Sequence, residues 1–364
     1  MARVTLQTIA DEVGVSRMTV SNAFNKPDQL SAAMRATILE TADRLGYTGP
    51  DPTARALVRG SSGAVGVLLT DDLAYGFRDG VATEFLAAVA DALAPTGLAL
   101  TLLSSQGREG VVPARDVAVD GVLFFACTLD PTAREWLSRR GLPMVLVDQE
   151  PDDALPSVGI DDYGGARAAA EHVLALGHRR VGVLVFGGAG GDDVDDVDDG
   201  AEGSGRLTDP RAAAAGWKYV AERRLSGFLD ALEAAGAEAV VHRVAEHGDQ
   251  PATDEARAML SAPDRPTAVL CYSDVLAVGV LHAAADLGID VPGDLSVVGF
   301  DDNPLATRVR PELTTVRQDS YGKGTAAAQA LISALGAGEE TTSVPRVVLP
   351  TQLVVRGSTG PLEA

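Results

Sequence analysis

Apolar residues recur at helical spacing in three short stretches at the start of the chain, which predicts three helices within the first 46 residues. A hydroxyl side chain suited to cap a helix precedes each stretch, at Thr5, Ser16 and Ser31. Gly14 permits a tight turn between the first two helices, because glycine adopts positive φ at little cost. The apolar positions expected to form their small core are Leu6, Ile9, Ala10, Val13, Val20, Ala23, Phe24, Met34, Ile38, Ala42 and Leu45.

The second of these helices has a polar outer face. Two helices joined by a tight turn form a helix-turn-helix, whose second helix enters the major groove of DNA with its N-terminus first. Arg17 can donate to guanine and Asn22 to adenine, whereas Met18 can make only apolar contact, for instance with a thymine methyl. The side chains better suited to phosphates are Ser16, Thr19, Ser21 and Asn25. A small helical bundle without a ligand is the alternative interpretation.

The stretch DPTARALVRG, residues 51–60, predicts one more short helix. Its start and stop signals are Asp51, Pro52 and Gly60. Because so short a helix is unstable alone in water, we expect it to order only against something, such as its symmetry mate on DNA. Leu57 is then placed to insert into a minor-groove step beside Arg55. A simple linker is the equally weighted alternative.

From residue 62 onward, short runs of continuous hydrophobicity alternate with helical stretches, a pattern typical of parallel sheets covered on both faces. The predicted strands are AVGVLLT, LALTLLS, GVLFFA and PMVLVD, then RVGVLVF, AEAVVHRV, TAVLCYSD and LSVVGFDD. The predicted helices are FLAAVADALAPTG, ARDVAV or AREWLSRRG, AAAEHVLALGH, AERRLSGFLDALEAAG, DEARAMLSA and DVLAVGVLHAAADLG. The fold class is therefore α/β, with a three-helix head followed by two doubly wound lobes.

Polar and aromatic residues fall repeatedly where these strands end. Ligands of such sheets bind at the carboxyl ends of the strands, and two lobes make the cleft between them the natural site. Carboxylates near an arginine and aromatic rings suit a polyhydroxylated ligand. A single aspartate is more often a turn former, so the repetition carries the argument. These strand-end residues are Asp71, Asp72, Phe125, Asp148, Ser273, Asp274, Asp301 and Asp302.

Residues 187–216, GGAGGDDVDDVDDGAEGSGRLTDPRAAAAG, interrupt the alternation. A dinucleotide loop is excluded, since Asp193 stands where the fingerprint requires glycine or alanine. An EF-hand is excluded as well, because Val197 and Arg206 occupy ligand positions. We expect a solvated, mobile loop near the cleft.

Composition indicates a cytoplasmic protein without a membrane segment. No apolar run approaches the roughly 18 to 20 residues that span a bilayer, and the N-terminus lacks the apolar core of a signal peptide. Cys127 and Cys271 lie in separate apolar runs, which favours buried thiols over a disulfide.

The charge is unevenly divided along the 364 residues, whose formal net charge is −21. The first 60 residues hold seven basic and six acidic side chains, which leaves 23 basic and 45 acidic ones for the rest. Because counterion release is local to the face that contacts DNA, a near-neutral head can bind DNA while the acidic body faces away.

No enzyme motif is complete. The chain lacks G-x-S-x-G and a Walker A sequence, since Gly322-Lys323 is followed by Gly324, and its histidines show no metal-ligand spacing. We therefore expect no catalytic residues, no metal and no cofactor. A two-lobed sugar-binding protein or a sugar-acting enzyme with a helical appendage is the remaining alternative.

Taken together, TLQTIADEVGVSRMTVSNAFN, LALGHRRVGVL, RLSGF, SDVLAVG, DLSVVGFDD and LTTVRQD resemble the lactose-repressor (LacI/GalR) family of transcription regulators, over nearly the whole chain. The resemblance implies a repressor that binds palindromic double-stranded operator DNA as a homodimer. It also implies a periplasmic-binding-protein-like body that holds a small-molecule effector, in the first place a carbohydrate. No heptad repeat follows Arg356, which favours a dimer over a coiled-coil tetramer.

Carried over by motif, the resemblance makes Arg17, Met18 and Asn22 the base-reading residues and Leu57 the intercalating leucine of a hinge. The complete set of DNA contacts that we expect is Thr5, Leu6, Ser16, Arg17, Met18, Thr19, Ser21, Asn22, Asn25, Ser31, Arg55 and Leu57. The expected effector contacts are Asp71, Tyr75, Phe77, Phe125, Asp148, Arg224, His247, Ser273, Asp274, Asp301 and Gln318. Asn22 stands where the family often has arginine, so we expect a different operator sequence.

The expected domains are a helix-turn-helix head at 1–49, a hinge at 50–61 and an effector-binding and dimerisation domain at 62–364. Within the last, we expect an N-lobe from about 62–160 and 296–320 and a C-lobe from about 161–295 and 321–356. The acidic insertion lengthens the separation between VGVLVF and Arg224 beyond what the family usually shows.

Overall fold

The computed structural model describes residues 4–49, 56, 60–69, 73–104, 116–126, 131–187, 204–215, 217–337 and 344–362. The chain divides into two units, residues 1–63 and 64–364. Of the predicted hinge, only Ala56, Gly60 and Ser61 lie in the described part. Gly60 donates its N–H to the carbonyl of Ala56 over 2.9 Å and has a φ of +71°, as expected of a glycine that ends a helix.

The first unit contains the three predicted helices: α1 (Leu6–Val13), α2 (Arg17–Asn25) and α3 (Ala32–Arg44), with a 3-10 turn at Pro27–Gln29. All three predicted N-caps are confirmed, since each accepts a hydrogen bond from a backbone N–H of the first turn. Gly14 has a φ of +78° in the turn before α2. The buried core of the head consists of Ile9, Ala10, Val20, Ala23, Ile38 and Ala42.

The second unit contains two sheets. The strands are β1 (Ala64–Leu69), β2 (Ala99–Ser104), β3 (Gly121–Phe125), β4 (Met144–Val147), β5 (Ser157–Ile160), β6 (Arg180–Phe186), β7 (Gly205–Arg206), β8 (Glu238–Val244), β9 (Ala268–Cys271), β10 (Ser296–Asp301), β11 (Thr314–Arg317), β12 (Arg346–Leu349) and β13 (Gln352–Val354). The helices are α4 (Tyr75–Arg78), α5 (Gly80–Leu93), α6 (Pro131–Arg139), α7 (Asp162–Ala175), α8 (Pro210–Ala213), α9 (Tyr219–Ala234), α10 (Asp249–Leu260), α11 (Asp274–Leu287), α12 (Leu305–Arg308) and α13 (Ser320–Ala337).

The strand order is β12-β5-β4-β3-β1-β2 in the first sheet and β13-β11-β10-β9-β6-β8-β7 in the second. Among the described strands, the pairs are parallel except β11 with β13 and β7 with β8. Helices pack on both faces, because the continuously apolar strands must be covered on both sides. The α/β class and the eight predicted strands are confirmed.

The lobe assignment of the later segments was wrong. Strands β10 and β11 extend the second sheet through β9, so residues 296–317 belong to the C-lobe. Helix α13 packs on β3, β4 and β5, and β12 pairs with β5, so both belong to the N-lobe. We therefore define the N-lobe as residues 64–160 and 320–349 and the C-lobe as 162–318 and 352–362. The hydrophobic pattern cannot decide which sheet a strand joins, because the strands of both sheets are similar short apolar runs.

Within the described residues, the chain passes between the lobes at Asp161, at 318–319 and at 350–351. Thr351 Oγ1 donates to the carbonyl of Asp161 over 3.1 Å, which joins two of these crossings. Residues close to a crossing are therefore placed to contact both lobes.

The predicted irregular loop at 187–216 is corrected in part. Residues 205–206 form β7, which pairs antiparallel with β8, and Pro210–Ala213 form α8 with Asp209 as N-cap. Residues 188–203 and 216 lie outside the described part. Cys271 is a fully buried thiol, as expected, whereas Cys127 lies outside the described residues.

Candidate DNA-binding face and interlobe site

The exposed face of α2 carries the predicted base-reading residues. The turn at Gly14 and the buried residues Val20 and Ala23 orient the helix, so that Arg17 and Met18 face solvent. The Met18 side chain is 68% exposed. Ser16 Oγ accepts the Thr19 N–H over 3.1 Å and lies 2.8 Å from its hydroxyl, which caps the N-terminus of the helix.

Asn22 is held by a residue that the sequence did not indicate. Its Nδ2 donates to Gln29 Oε1 over 3.1 Å. Since Gln29 lies in the 3-10 turn after α2, this bond restrains the amide that is expected to face adenine. Asn25 donates to the carbonyl of Ser21 over 3.1 Å and to its hydroxyl over 3.3 Å. These local bonds position side chains along one polar face.

Two further expected contacts of the head, Thr5 and Ser31, cap its helices. Thr5 and Thr8 cap each other at the start of α1, with 3.3 Å between each hydroxyl and the opposing N–H. Ser31 Oγ accepts the Met34 N–H at the start of α3 over 3.3 Å. Leu6 is half-buried against the head core. Arg55 and Leu57 lie outside the described residues.

In the second unit, Arg224 is the centre of a buried polar arrangement in the C-lobe. From α9, its Nε donates to Asp162 Oδ1 over 2.8 Å, and its Nη1 donates to Asp301 Oδ1 over 3.1 Å and to the Tyr272 carbonyl over 2.7 Å. The guanidinium lies 3.6 Å from the centre of the Phe300 ring. Its planar donors thus hold the ends of α7, β9 and β10 together.

Gln318 and Lys323 extend this arrangement towards the N-lobe. Gln318 Nε2 donates to Asp301 Oδ1 over 2.7 Å, and its Oε1 accepts from Lys323 Nζ over 2.8 Å. Lys323 Nζ also donates to Asp148 Oδ2, at the carboxyl end of β4. We call the set Asp148, Asp162, Arg224, Asp301, Gln318 and Lys323 the interlobe cluster. It brings four of the expected effector contacts into one hydrogen-bonded chain.

Left-handed backbone conformations occur at the ends of these strands. Asp148 has a φ of +54° and Asp301 a φ of +110°, in a region that side chains other than glycine rarely adopt. Such conformations persist only where surrounding structure enforces them, and they concentrate at functional sites. Here Asp148 and Asp301 are the members of the cluster that lie at the carboxyl ends of β4 and β10.

Burial changes the titration of the cluster. Desolvation raises the pKa of Asp162 to about 6, although the charge of Arg224 opposes the shift. Desolvation likewise raises the pKa of Asp301 to about 6, against the charge of Arg224. Both carboxylates are therefore charged at neutral pH but close to their titration range.

His247 and Ser273 form a second group in the C-lobe. His247 Nε2 lies 3.1 Å from Ser273 Oγ, and its ring packs edge-on against Phe186 and Tyr272 at 5.3 and 6.3 Å. Burial lowers the pKa of His247, so the ring is neutral at pH 7. An aromatic, weakly polar wall of this kind suits the apolar face of a sugar ring.

The structure does not bring every expected contact to this cluster. Asp274 is fully buried, and its two oxygens accept from Thr315 Oγ1 and from the Asn303 N–H within the C-lobe, so we remove it from the proposed contacts. Phe125 makes no hydrogen bond with the cluster through its ring, which stacks on Phe85 with 4.3 Å between ring centres and lies 5.8 Å from Lys323 Nζ. Phe77 is exposed on α4. Asp71 and the Tyr75 side chain lie outside the described part.

Two members of the cluster were missed from the sequence. Asp162 follows the short strand β5, which the hydrophobic pattern did not reveal. Lys323 was considered only as part of an incomplete phosphate loop. The signal available for it was compositional: a lysine between two glycines at the start of an otherwise apolar helix.

No helix in the described part of the chain has the length and apolar character that crossing a membrane requires. Among the same residues, no group of three or more His, Cys, Asp or Glu side chains is arranged to hold a metal ion.

Comparison with known proteins identifies both units. Residues 5–49 match the family model of bacterial regulatory proteins of the lacI family, and residues 170–359 match a periplasmic binding protein-like domain. An HTH-type transcriptional regulator of Mycolicibacterium smegmatis is 37% identical, over 99% of this chain and 97% of its own. The regulator IpsA of Corynebacterium glutamicum is 36% identical, over 90% of both chains.

Solved structures agree with these relatives. A LacI-family regulator from Corynebacterium glutamicum superposes with a TM-score of 0.68 at 30% identity, over 100% of both chains. The complex of the regulator CelR with cellobiose has a TM-score of 0.67 at 27% identity, over 98% of this chain and 100% of its own. The lac repressor dimer bound to operator and an anti-inducer has a TM-score of 0.75, over 99% and 100%, and at 23% identity it shows the common fold.

A helix-turn-helix head joined to a two-lobed α/β body defines a DNA-binding transcriptional regulator with a periplasmic-binding-protein-like domain. The chain belongs to the lacI family of bacterial regulatory proteins.

Proposed function

We propose that the protein is a repressor that binds a palindromic operator as a homodimer. Its affinity for the operator changes when a sugar binds between its lobes. The observation that carries the DNA-binding part is the exposed, capped face of α2. Met18 is 68% exposed beside Arg17, so the exposed face of α2 offers both an apolar group and a hydrogen-bond donor to base edges. Arg17 donates to guanine, Met18 contacts a thymine methyl and Asn22 reads adenine.

The interlobe cluster supports the effector part of the proposal. Its carboxylates and the amide of Gln318 accept and donate hydrogen bonds in the manner that sugar hydroxyls require. Asp148, Arg224, Asp301 and Gln318 are the contacts that we propose there, with His247 and Ser273 as a second group in the C-lobe. Relatives of known structure include a complex with cellobiose and one with operator DNA.

We further propose that sugar binding changes the closure of the lobes and thereby the hinge at 50–61, where Leu57 enters the minor groove. Leu57 lies outside the described residues, so this step depends on the sequence. By linkage, the sugar changes operator affinity by the same factor by which operator changes sugar affinity, typically about 1–3 kcal/mol.

The test measures binding of the full-length protein to DNA from the promoter of its own gene, by mobility shift at moderate salt with random competitor. Thermal shift with cellobiose, glucose, galactose and ribose identifies ligands, which are then added to the DNA titration. We expect a specific complex whose affinity changes with one of these sugars. A protein that prefers no duplex over competitor, with or without sugar, would refute the proposal.

A further inference from the structure

Lys323 lies in the first turn of α13 with its side chain only 1% exposed. A buried ammonium is costly unless it is paired and hydrogen-bonded, and this one is, through Asp148 and Gln318. Its Nζ also lies 5.8 Å from the centre of the Phe125 ring. The residues around Lys323 therefore stabilise a positive charge at this buried position.

Lys323 links the two lobes through a single amide. Gln318 stands at a crossing between the lobes and uses both ends of its side chain, one towards Lys323 in the N-lobe and one towards Asp301 in the C-lobe. A change in the relative position of the lobes must alter at least one of these bonds. The lysine thus couples Asp148 to the arrangement around Arg224.

Asp148 has an acceptor that the described protein does not satisfy. Its side chain is 7% exposed, Oδ2 is taken by Lys323, and Oδ1 is buried without a hydrogen-bond partner. Leaving a buried acceptor unpaired is unfavourable, so a donor that reaches it is bound with more than the usual gain. Lys323 holds the carboxylate in the orientation that leaves this oxygen free.

The charges of the cluster decide which donors are accepted. Three carboxylates, on Asp148, Asp162 and Asp301, stand against the two cations Arg224 and Lys323. Asp79 adds a further negative charge near Asp301. Lys218 adds a positive charge near His247. Among the described residues the carboxylates still outnumber the cations, so a phosphate would enter a region of negative balance, whereas a neutral hydroxyl needs only to donate a hydrogen bond.

We propose that Lys323 is a specificity-determining residue: it positions Asp148 for a ligand hydroxyl and offsets one carboxylate, so that the interlobe site selects an uncharged polyol over its amino-substituted form, while the remaining excess of carboxylates disfavours the phosphorylated form. The inference rests on the proposed function and specifies the ligand class of the same site. Without Lys323 the site lacks one positive charge, and a ligand that brings its own ammonium gains relative to a neutral one.

The experiment compares ligands of matched skeleton on the full-length protein by isothermal titration calorimetry and thermal shift. Glucose, glucose 6-phosphate and glucosamine form one set, galactose and its counterparts a second, and ribose with ribose 5-phosphate a third. We expect a neutral member to bind the wild type and its phosphate to bind about tenfold or more weakly.

The variant is Lys323→Met, which keeps the length of the side chain and removes its charge. We expect neutral-sugar affinity to fall about tenfold or more and the ratio of amino-sugar to neutral-sugar affinity to rise by a similar factor. Arg139→Met is the matched control, because it removes one positive charge from the exposed surface of the same lobe and should leave both values unchanged. A merely structural lysine would not change the ratio.

If Lys323→Met is unstable, the double variant Asp148→Asn/Lys323→Met removes both charges and should recover the melting temperature without recovering sugar affinity. Unchanged selectivity between amino and neutral sugars in a folded variant overturns the role of Lys323, and phosphates that bind the wild type as tightly as neutral sugars overturn the charge argument; in both cases a small-molecule effector stands. A panel in which no ligand binds the wild type overturns the proposed sugar effector itself.

Discussion

Arg224 and Asp301 form a buried ion pair, with 3.1 Å between Nη1 and Oδ1 and with side chains 5% and 7% exposed. A buried pair is weak evidence for stability, since desolvation offsets most of the attraction. Its position between a helix and a strand end instead fixes the orientation of the guanidinium and of the carboxylate.

Replacing Asp301 by asparagine should abolish the effector response and leave operator binding without effector within about twofold of wild type. Asparagine keeps the shape but weakens the acceptor that Arg224 and Gln318 share. The measurement is operator affinity with and without the sugar found by thermal shift. Glu135→Gln on α6 is a control, because that carboxylate pairs only at the surface. A variant that still responds to the sugar would remove Asp301 from the site.

Arg17→Ala should relax specificity at one base pair and cost about 1–3 kcal/mol there. The reason is that an exposed arginine at the start of α2 can form a bidentate contact with one guanine. Operators substituted at each position in turn provide the measurement. Arg44→Ala is the control in the same head, since Arg44 pairs with Glu12 through its Nη2, 2.8 Å from Oε1. Equal weakening on every sequence would assign Arg17 to a phosphate instead.

Loss of the Ser16 cap should destabilise α2. Ser16→Ala removes the acceptor of the Thr19 N–H, at a cost of about 1 kcal/mol. Hydrogen exchange of the α2 amides in the full-length protein should quicken about fivefold. Ser16→Asp restores an acceptor and should return exchange to the wild-type rate; equal rates in Ser16→Ala and wild type would show that the cap does not stabilise the helix.

The C-lobe should lose stability in mild acid through His178. Burial lowers the pKa of this residue, whose ring nitrogens lie 2.9 Å from Thr267 Oγ1 and 3.0 Å from Ser296 Oγ. A lowered folded-state pKa means that its contribution is complete above the ordinary pKa of 6.5 and is lost as the pH falls through the lower value. The melting temperature of the wild type should therefore decrease on acidification, and that of the His178→Gln variant should decrease less over the same pH range. An equal decrease in both proteins would contradict this role.

Local patterns predicted the head almost completely. Its three helices, their caps and the turn at Gly14 each depend on residues within a few positions, so the order of apolar and polar side chains was sufficient. Eight strands were also predicted, because apolar runs are visible without knowledge of their partners. What the sequence could not show was the bond from Asn22 to Gln29, which depends on the path of the chain after α2.

The sequence predicted two α/β lobes correctly, but it assigned the segments after residue 295 to the wrong lobes. The strands β5, β11, β12 and β13 have three or four residues each and lack the uninterrupted run of four apolar residues that revealed the equally short β4 and β9. The pairing of β10 with β9 is a long-range choice. Motif resemblance indicated Arg224, Asp301 and Gln318 individually, but it said nothing of their bonds to one another.

By itself, the order of residues determined the class of fold, the three capped helices of the head and most residues at the strand ends, because these follow from local spacing and from motifs. Only the tertiary structure decided that residues 175 positions apart, Asp148 and Lys323, share a hydrogen bond. That contact arises because α13 returns to the N-lobe after the chain has built the C-lobe, and no local pattern records such a return.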